Sequence, residues 1–280
     1  MNNRRPLHKA LLIVVALVVA FVVLWPMYWI LISSLKPQDK LFASPIDYFP
    51  LTLTLDSYHR LFTAMDIVSM SIATGVITAL SLAITMVVCT MAGYAFARSN
   101  NKLILLAFGF VIFSTMVPFI ISVIPMYVFI RALGLVDTYL GLVLLYTSHM
   151  VPFAVAVMTG FIKQIPVTIE EAAEVDGAGT TTLIVRIISP LLKPAIATVA
   201  IINFILAMNE FFIPLIFTIR KIVPLAIGIT KVPLSINMHY VEPWDLISAM
   251  GMLIIAPIVI FVVMFEKRIL SGLMAGSIKE

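Results

Sequence analysis

EEAAEVDGAGTTTLIVRIISPLLKP, residues 170–194, interrupts a chain that is otherwise strongly apolar. Glu170, Glu171, Glu174 and Asp176 crowd its first seven residues, Asp176-Gly177 breaks it, and Pro190 and Pro194 punctuate its end. Working outward, the flanks are long runs of Ile, Leu, Val, Ala and Phe. The stretch is therefore the polar hinge of something built for lipid.

Composition supports that reading. The 280 residues are 62% hydrophobic and 11% charged, with a mean hydropathy of +1.12, whereas a soluble domain carries about 25% charged residues. A core cannot hide so much apolar surface at this length, so lipid must solvate much of it. The single cysteine, Cys89, lies in an apolar run and excludes a disulfide framework. The mild net charge of +4 fits retained loop Lys and Arg rather than nucleic-acid binding.

A crossing helix needs about 20 mostly apolar residues. Six segments qualify, over roughly 11–32, 70–96, 104–130, 139–162, 195–218 and 246–265. The first follows Arg4, Arg5 and Lys9 but is too long for a signal-peptide core and lacks a small-x-small site, so it reads as an uncleaved span. Pro26, Pro118, Pro125, Pro152, Pro214 and Pro257 fall inside the spans and predict kinks. With the N-terminus inside, eleven Lys and Arg lie on the cytoplasmic side and seven outside, as the positive-inside bias requires. This orientation leaves residues 33–69 as an ordered, partly interfacial outer loop and puts 166–194 and both termini in the cytoplasm.

The residues 166–194 predict a two-helix docking element. Pro166 ends the preceding span, and Thr168-x-x-Glu171 fits a capping box. Early carboxylates suit the positive end of a helix dipole, while Ala172 and Ala173 permit close approach to a neighbour. Gly177 offers the positive φ of a helix end. Leu183, Ile184, Ile187 and Ile188 then form one apolar stripe. An interfacial helix resting on anionic headgroups would be basic rather than acidic, so a protein surface is the expected partner.

Other chemistry is missing from the sequence. There is no G-x-x-x-x-G-K-[ST], H-E-x-x-H or C-x-x-C. His8, His59, His149 and His239 are far apart; His149, in the fourth span, reads as a neutral imidazole hydrogen-bonded to a neighbouring helix. Asn209 and Glu210 lie in the fifth span, where an acid costs about 2.5–3.5 kcal/mol on insertion scales and should face the bundle or water. They are either groups of a solute pathway, with Phe211 beside them, or a polar pair that locks helix packing.

"EEAAEVDGA" followed by "IISPLLKP" resembles the EAA motif of bacterial ABC importer permeases of the carbohydrate-uptake group. Glu171, Ala172 and Ala173 fall on its E-A-A, Asp176, Gly177 and Ala178 on its D-G-A, and Pro190 on its later proline. "FPLTLTLDSY", "AGYAFAR", "IPMYVFIRALGLVDTYLGLVL" and "AMNEFFIPL" also fit, and "KRILSGLMAGSIKE" resembles the ending of maltose-type MalG subunits. The departures are Met208, where tryptophan often precedes the Asn-Glu pair, and Ser189, where leucine often precedes the proline.

The resemblance implies an all-α, six-span permease fold of the type I ABC importers, in the bacterial inner membrane. It implies that 166–194 is a coupling loop seated in a groove of a cytoplasmic ATPase dimer. Glu171 would pair with an arginine there, and Leu183, Ile184 and Ile187 would fill the groove. ATP and magnesium would sit on that partner, with no cofactor on this chain. The further partners implied are a second, MalF-like permease, an extracytoplasmic solute-binding protein and a sugar or oligosaccharide. Two alternatives stay open: a glycerol phosphate importer of the same family, and an ion-coupled secondary transporter, which predicts internal repeats and midplane carboxylates.

Overall fold

Lipid tails are as apolar as leucine, so cohesion here must come from close packing and polar links rather than from apolar burial alone. The computed structural model describes residues 4–233 and 243–277, with side chains over 8–233 and 243–265. His239 and the last three residues of the MalG-like ending lie outside the described residues. Every regular element among the described residues is helical. Four helices are long and apolar enough to cross a membrane, or six if two sharply bent pairs each count as one span.

The chain divides into two compact units, 1–67 with 228–256 and 68–227 with 257–280. In the first unit, α1 (Arg4–Leu35) is apolar on all sides, and residues from Leu11 to Leu24 are exposed, as befits a helix facing lipid or another chain. Residues 33–69 contain a short 3₁₀ turn (Gln38–Lys40) and α2 (Asp56–Ala64). Trp25, Tyr28, Trp29, Tyr48 and Phe49 pack as tilted ring pairs where the loop leaves α1. Buried Lys36 donates to the Asp47 carbonyl and lies 5.1 Å above the Trp29 ring, a cation–π contact that tolerates the buried charge.

The second unit starts with α3 (Ile67–Arg98), matching the expected span 70–96. The expected span 104–130 is not one helix. Helix α4 (Lys102–Ser114) and α5 (Phe119–Ala132) meet at 106°. Pro118 caps α5 and cannot continue α4, because it lacks the amide and its ring excludes the preceding turn. Helix α6 (Tyr139–Ile162) occupies the fourth expected span, its first turn capped by Thr138, whose hydroxyl accepts from Gly141 N at 3.1 Å. Gly93 of α3 lets α6 approach closely: a Cβ there would meet Met158 and the Thr159 amide at 3.2 Å.

Helix α7 (Val167–Val175) and the helical stretch formed by α8 (Thr180–Thr182), a wide π turn (Leu183–Ile188) and α9 (Ser189–Leu191) make up the interrupting segment. That stretch bends by 79° into α10 (Lys193–Met208). The expected span 195–218 is also broken: α10 stops at Met208, and α11 (Phe212–Phe217) restarts after Asn209, Glu210 and Phe211. α12 (Leu225–Gly228) and α13 (Trp244–Ser277) complete the order.

Candidate functional site

Two places in the second unit gather the residues singled out by sequence. The first is the corner around α7. Helix α7 begins one residue before Thr168, with Pro166 at the cap and no side-chain cap bond. The expected capping box therefore does not form. The extended conformation fixed by Pro166 starts the helix early enough to put Thr168 inside it, and Glu171 is free to point outward. The far end matches expectation in detail. Gly177 has φ +81°; its amide bonds Glu174 O at 2.9 Å, and the Ala178 amide bonds Ala173 O at 2.9 Å. These two bonds, with Ala173 against Ala178, define a Schellman turn.

The four acids divide between two roles. Glu171, Glu174 and Asp176 are exposed, whereas Glu170 is 5% exposed. Glu170 Oε1 receives Arg98 Nε at 2.7 Å and Nη2 at 2.6 Å, while Oε2 receives the Tyr94 hydroxyl at 2.9 Å. Arg98 also donates to Ile165 O at 2.8 Å. Sequence reasoning grouped Glu170 with the dipole acids; its signal was Arg98, placed four residues after Tyr94 at the end of a span.

The apolar stripe needs correction. Leu183 and Ile188 are fully buried in this chain's own cluster with Met158, Ile162, Leu192 and Val199, and Ile187 packs against it. Ala173 is buried there too. These residues are not available to fill a partner's groove. The cause is the π turn, in which i and i+5 share a face, so Leu183 and Ile188 project together. Pro190 lacks an amide for the preceding turn, and just before it Ser189 donates both its amide and its Oγ, the latter at 2.7 Å, to Ile184 O. The outward face consists of Glu171, Ala172, Glu174, Asp176 and Gly177 with Val167, Ile169, Val175 and Val185. Val175 is 88% exposed.

The second place is the α10–α11 break. Asn209 caps α10, its Nδ2 donating to Ile205 O at 2.9 Å. Glu210 Oε1 accepts from Ile213 N at 2.9 Å and so starts α11. Its other oxygen faces His149 Nε2 at 3.9 Å, and the Tyr146 hydroxyl donates to the Glu210 carbonyl at 3.4 Å. Phe211 stands edge-on to Phe212 at 5.7 Å. His149 has no closer polar contact to a neighbouring helix; it is exposed, with its ring edge-on to Phe119 at 5.7 Å. It lines an open cavity of about 810 Å³ with Ser114, Thr115, Phe119, Ser122 and Ser148. The break between α4 and α5 and the His149 side of α6 thus form one mainly apolar recess that carries four hydroxyl side chains, Phe119, Phe153 and His149. Nothing in the spacing of Ser114, Ser122, Ser148 and His149 predicted their convergence, because the α4–α5 bend creates it. Among the described residues, no cluster of His, Cys, Asp or Glu could hold a metal ion.

The comparisons extend this picture over the whole chain. SugB, the trehalose transport system permease of Mycobacterium tuberculosis, is 35% identical over the full length of both chains. The trehalose/maltose permease MalG of Thermococcus litoralis is 31% identical over 98% of each. SmoH, the sulfoquinovosyl glycerol permease of Agrobacterium fabrum, is 31% identical over 91% of this chain and 89% of its own. A crystal structure of a bacterial ABC transporter involved in importing the acidic polysaccharide alginate shares the fold. Its TM-score is 0.81 at 19% identity, covering 95% of this chain and 98% of that one. Residues 89–271 match the binding-protein-dependent transport system inner membrane component family, and the chain belongs to that family as a multi-pass permease subunit of an ABC importer.

Proposed function

We propose that this permease admits a neutral sugar or oligosaccharide, and that residues 166–194 couple it to a separate ATPase on the cytoplasmic side, with both termini inside. The observation that carries the coupling reading is the outward face of α7. It is acidic, interrupted by the exposed Val175, and bounded by a rigid glycine turn. That chemistry fits a basic groove with an apolar floor rather than anionic lipid. The chain has no phosphate-binding loop, so the nucleotide and its magnesium belong to the partner. A second permease subunit and an extracytoplasmic solute-binding protein complete the proposed assembly, the latter supported by the binding-protein dependence in the family description.

The sugar reading is supported by the names of the relatives and by the recess itself. Its lining combines serine and threonine hydroxyls, Phe119, Phe153 and His149, without Lys or Arg. Aromatic faces and hydroxyls suit pyranose rings, while a phosphate ester would need a cation. This favours a neutral sugar over glycerol phosphate.

The assembled transporter in lipid vesicles tests both parts. Copurification of an ATPase through wild-type chain, with ATPase activity stimulated by sugar-loaded binding protein, is the expected result; a chain that transports without any ATPase would sink the coupling reading. For the α10–α11 break beside the recess, Glu210→Gln preserves an oxygen for Ile213 N but removes the charge facing His149. It should alter uptake by about three- to tenfold with stability intact, whereas Glu210→Ala should also lose about 1 kcal/mol from the missing cap. Uptake unchanged in both variants would reject a pathway role for Glu210.

A further inference from the structure

A docking element is useful only if its displacement reaches the spans. Helix α7 meets the rest of its unit in two ways. Ala173 sits in the apolar cluster shared with α3, the π turn, α6 and α10, a contact without directionality, across which a short helix can slide or roll. The other contact is directional. One oxygen of Glu170 is held by two N–H groups of Arg98 and the other by the Tyr94 hydroxyl. The same guanidinium holds the Ile165 carbonyl at the corner that precedes α7. Tyr94 and Arg98 are one turn apart on α3 and grip the first turn of α7 from a single face. Glu170 and Arg98 are both largely withdrawn from water, with side-chain exposures of 7% and 16%. A buried charge pair of this kind adds little net stability over an apolar pair but fixes geometry, because either charge alone is stranded.

We infer that Arg98, Glu170 and Tyr94 form a rigid joint through which motion of the docking element is delivered to α3, making the three positioning residues for transport. The inference rests on the coupling reading above. The two neighbouring glutamates then have opposite tasks: Glu171 faces the partner, and Glu170 locks the element to the span. Arginine suits this task where lysine does not, since its planar fork hydrogen-bonds Glu170 and the Ile165 carbonyl at once.

The test uses the complete transporter, with binding protein and ATPase, in lipid vesicles, and reads solute taken up per ATP hydrolysed. Arg98→Ala and Glu170→Gln should retain ATPase copurification yet lower that ratio at least about tenfold, the scale of one lost charged hydrogen-bond network. Arg98→Lys should lower it as well, and Tyr94→Phe by no more than about threefold, the loss of one neutral bond. Combining Glu170→Arg with Arg98→Glu should recover part of the ratio. A merely structural pair would lower thermal stability and leave the ratio unchanged; that outcome in the Glu170→Gln or Arg98→Lys transporter overturns the joint. If Arg98→Ala fails to accumulate, those two variants and the charge swap decide. The exposed variant Val175→Asp separates the two readings: unchanged ATPase copurification there defeats the docking reading itself, whatever the joint variants do.

Discussion

Replacing Glu171 by Lys and Val175 by Asp in one chain is expected to abolish solute uptake while leaving membrane insertion and abundance unchanged. Both side chains are exposed, and neither belongs to the chain's buried clusters. Surface changes of this kind alter the stability of the chain by no more than about 0.5 kcal/mol. Against a basic groove with an apolar floor, the same changes reverse the charge that meets the basic wall and press a carboxylate onto the apolar floor. Losing interface anchors costs roughly 2–4 kcal/mol, or about 30- to 1000-fold in affinity. The ATPase should therefore fail to copurify, and uptake should fall with it. Retained uptake at wild-type rate by this double variant would show that the face is not a dock. Gly177 offers a separate check, because a Cβ at that position meets nothing within 4 Å and any intramolecular cost arises from its φ of +81°. Valine there should strain the turn by about 1–2 kcal/mol, whereas asparagine, which tolerates this region, should be milder. Equal, severe loss from both would instead mean that the docked partner closes on the glycine.

These expectations show where sequence alone was informative. Gly177 was legible because a positive φ leaves a chemical signature, and α6 was legible because an apolar run of that length admits few alternatives. The broken spans were not. In lipid an apolar residue can face a tail, another helix or a cavity with equal ease, so α4 and α5 form one unbroken hydrophobic run despite a 106° bend. Pro118 marked a kink but could not give its size. The Glu170–Glu171 pair shows the same limit at the scale of one residue. Adjacent positions on a helix face different directions, and only the location of Arg98 in space decides which glutamate turns inward. Likewise Leu183, Ile184 and Ile187 read as an outward stripe on an α-helical wheel, but the π turn rotates Leu183 and Ile188 into the core. The segment was therefore recognisable as a polar break between spans, and the orientation of its individual side chains was not.

Asp137, inside the stretch "LVDTY", was passed over in sequence, and its substitution should produce the largest loss of stability in the second unit. Its Oδ2 accepts from the Arg220 and Lys221 amides at 3.0 Å and its Oδ1 from the Ile222 amide at 3.1 Å. Its own amide donates to Phe217 O at 2.9 Å. One carboxylate thus ties the α5–α6 turn to the end of α11, the short helix that begins at Glu210. It does so with φ +58°, a conformation that Asp and Asn accept more readily than other residues with a Cβ. Burial works to raise its pKa, but the amides of Arg220, Lys221, Ile222 and Ile219 outweigh burial and hold it below the usual carboxylate range. A depressed folded-state pKa contributes stability above the unfolded value and loses it as pH falls through the folded one. The transporter should therefore soften in acid below about pH 4, the range of an unperturbed Asp. Asp137→Ala strands three amides and keeps the backbone penalty, a loss of roughly 2–4 kcal/mol. Asp137→Gly strands the amides but relieves the backbone, and Asp137→Asn keeps both the conformation and one accepting oxygen. Thermal stability, read as aggregation temperature of the detergent-solubilised complex, should fall in the order wild type, Asp137→Asn, Asp137→Gly, Asp137→Ala. The Asp137→Asn chain should also lose the acid-dependent step. An alanine variant as stable as the asparagine variant would mean that the amides find other acceptors and that Asp137 does not hold α11 in place.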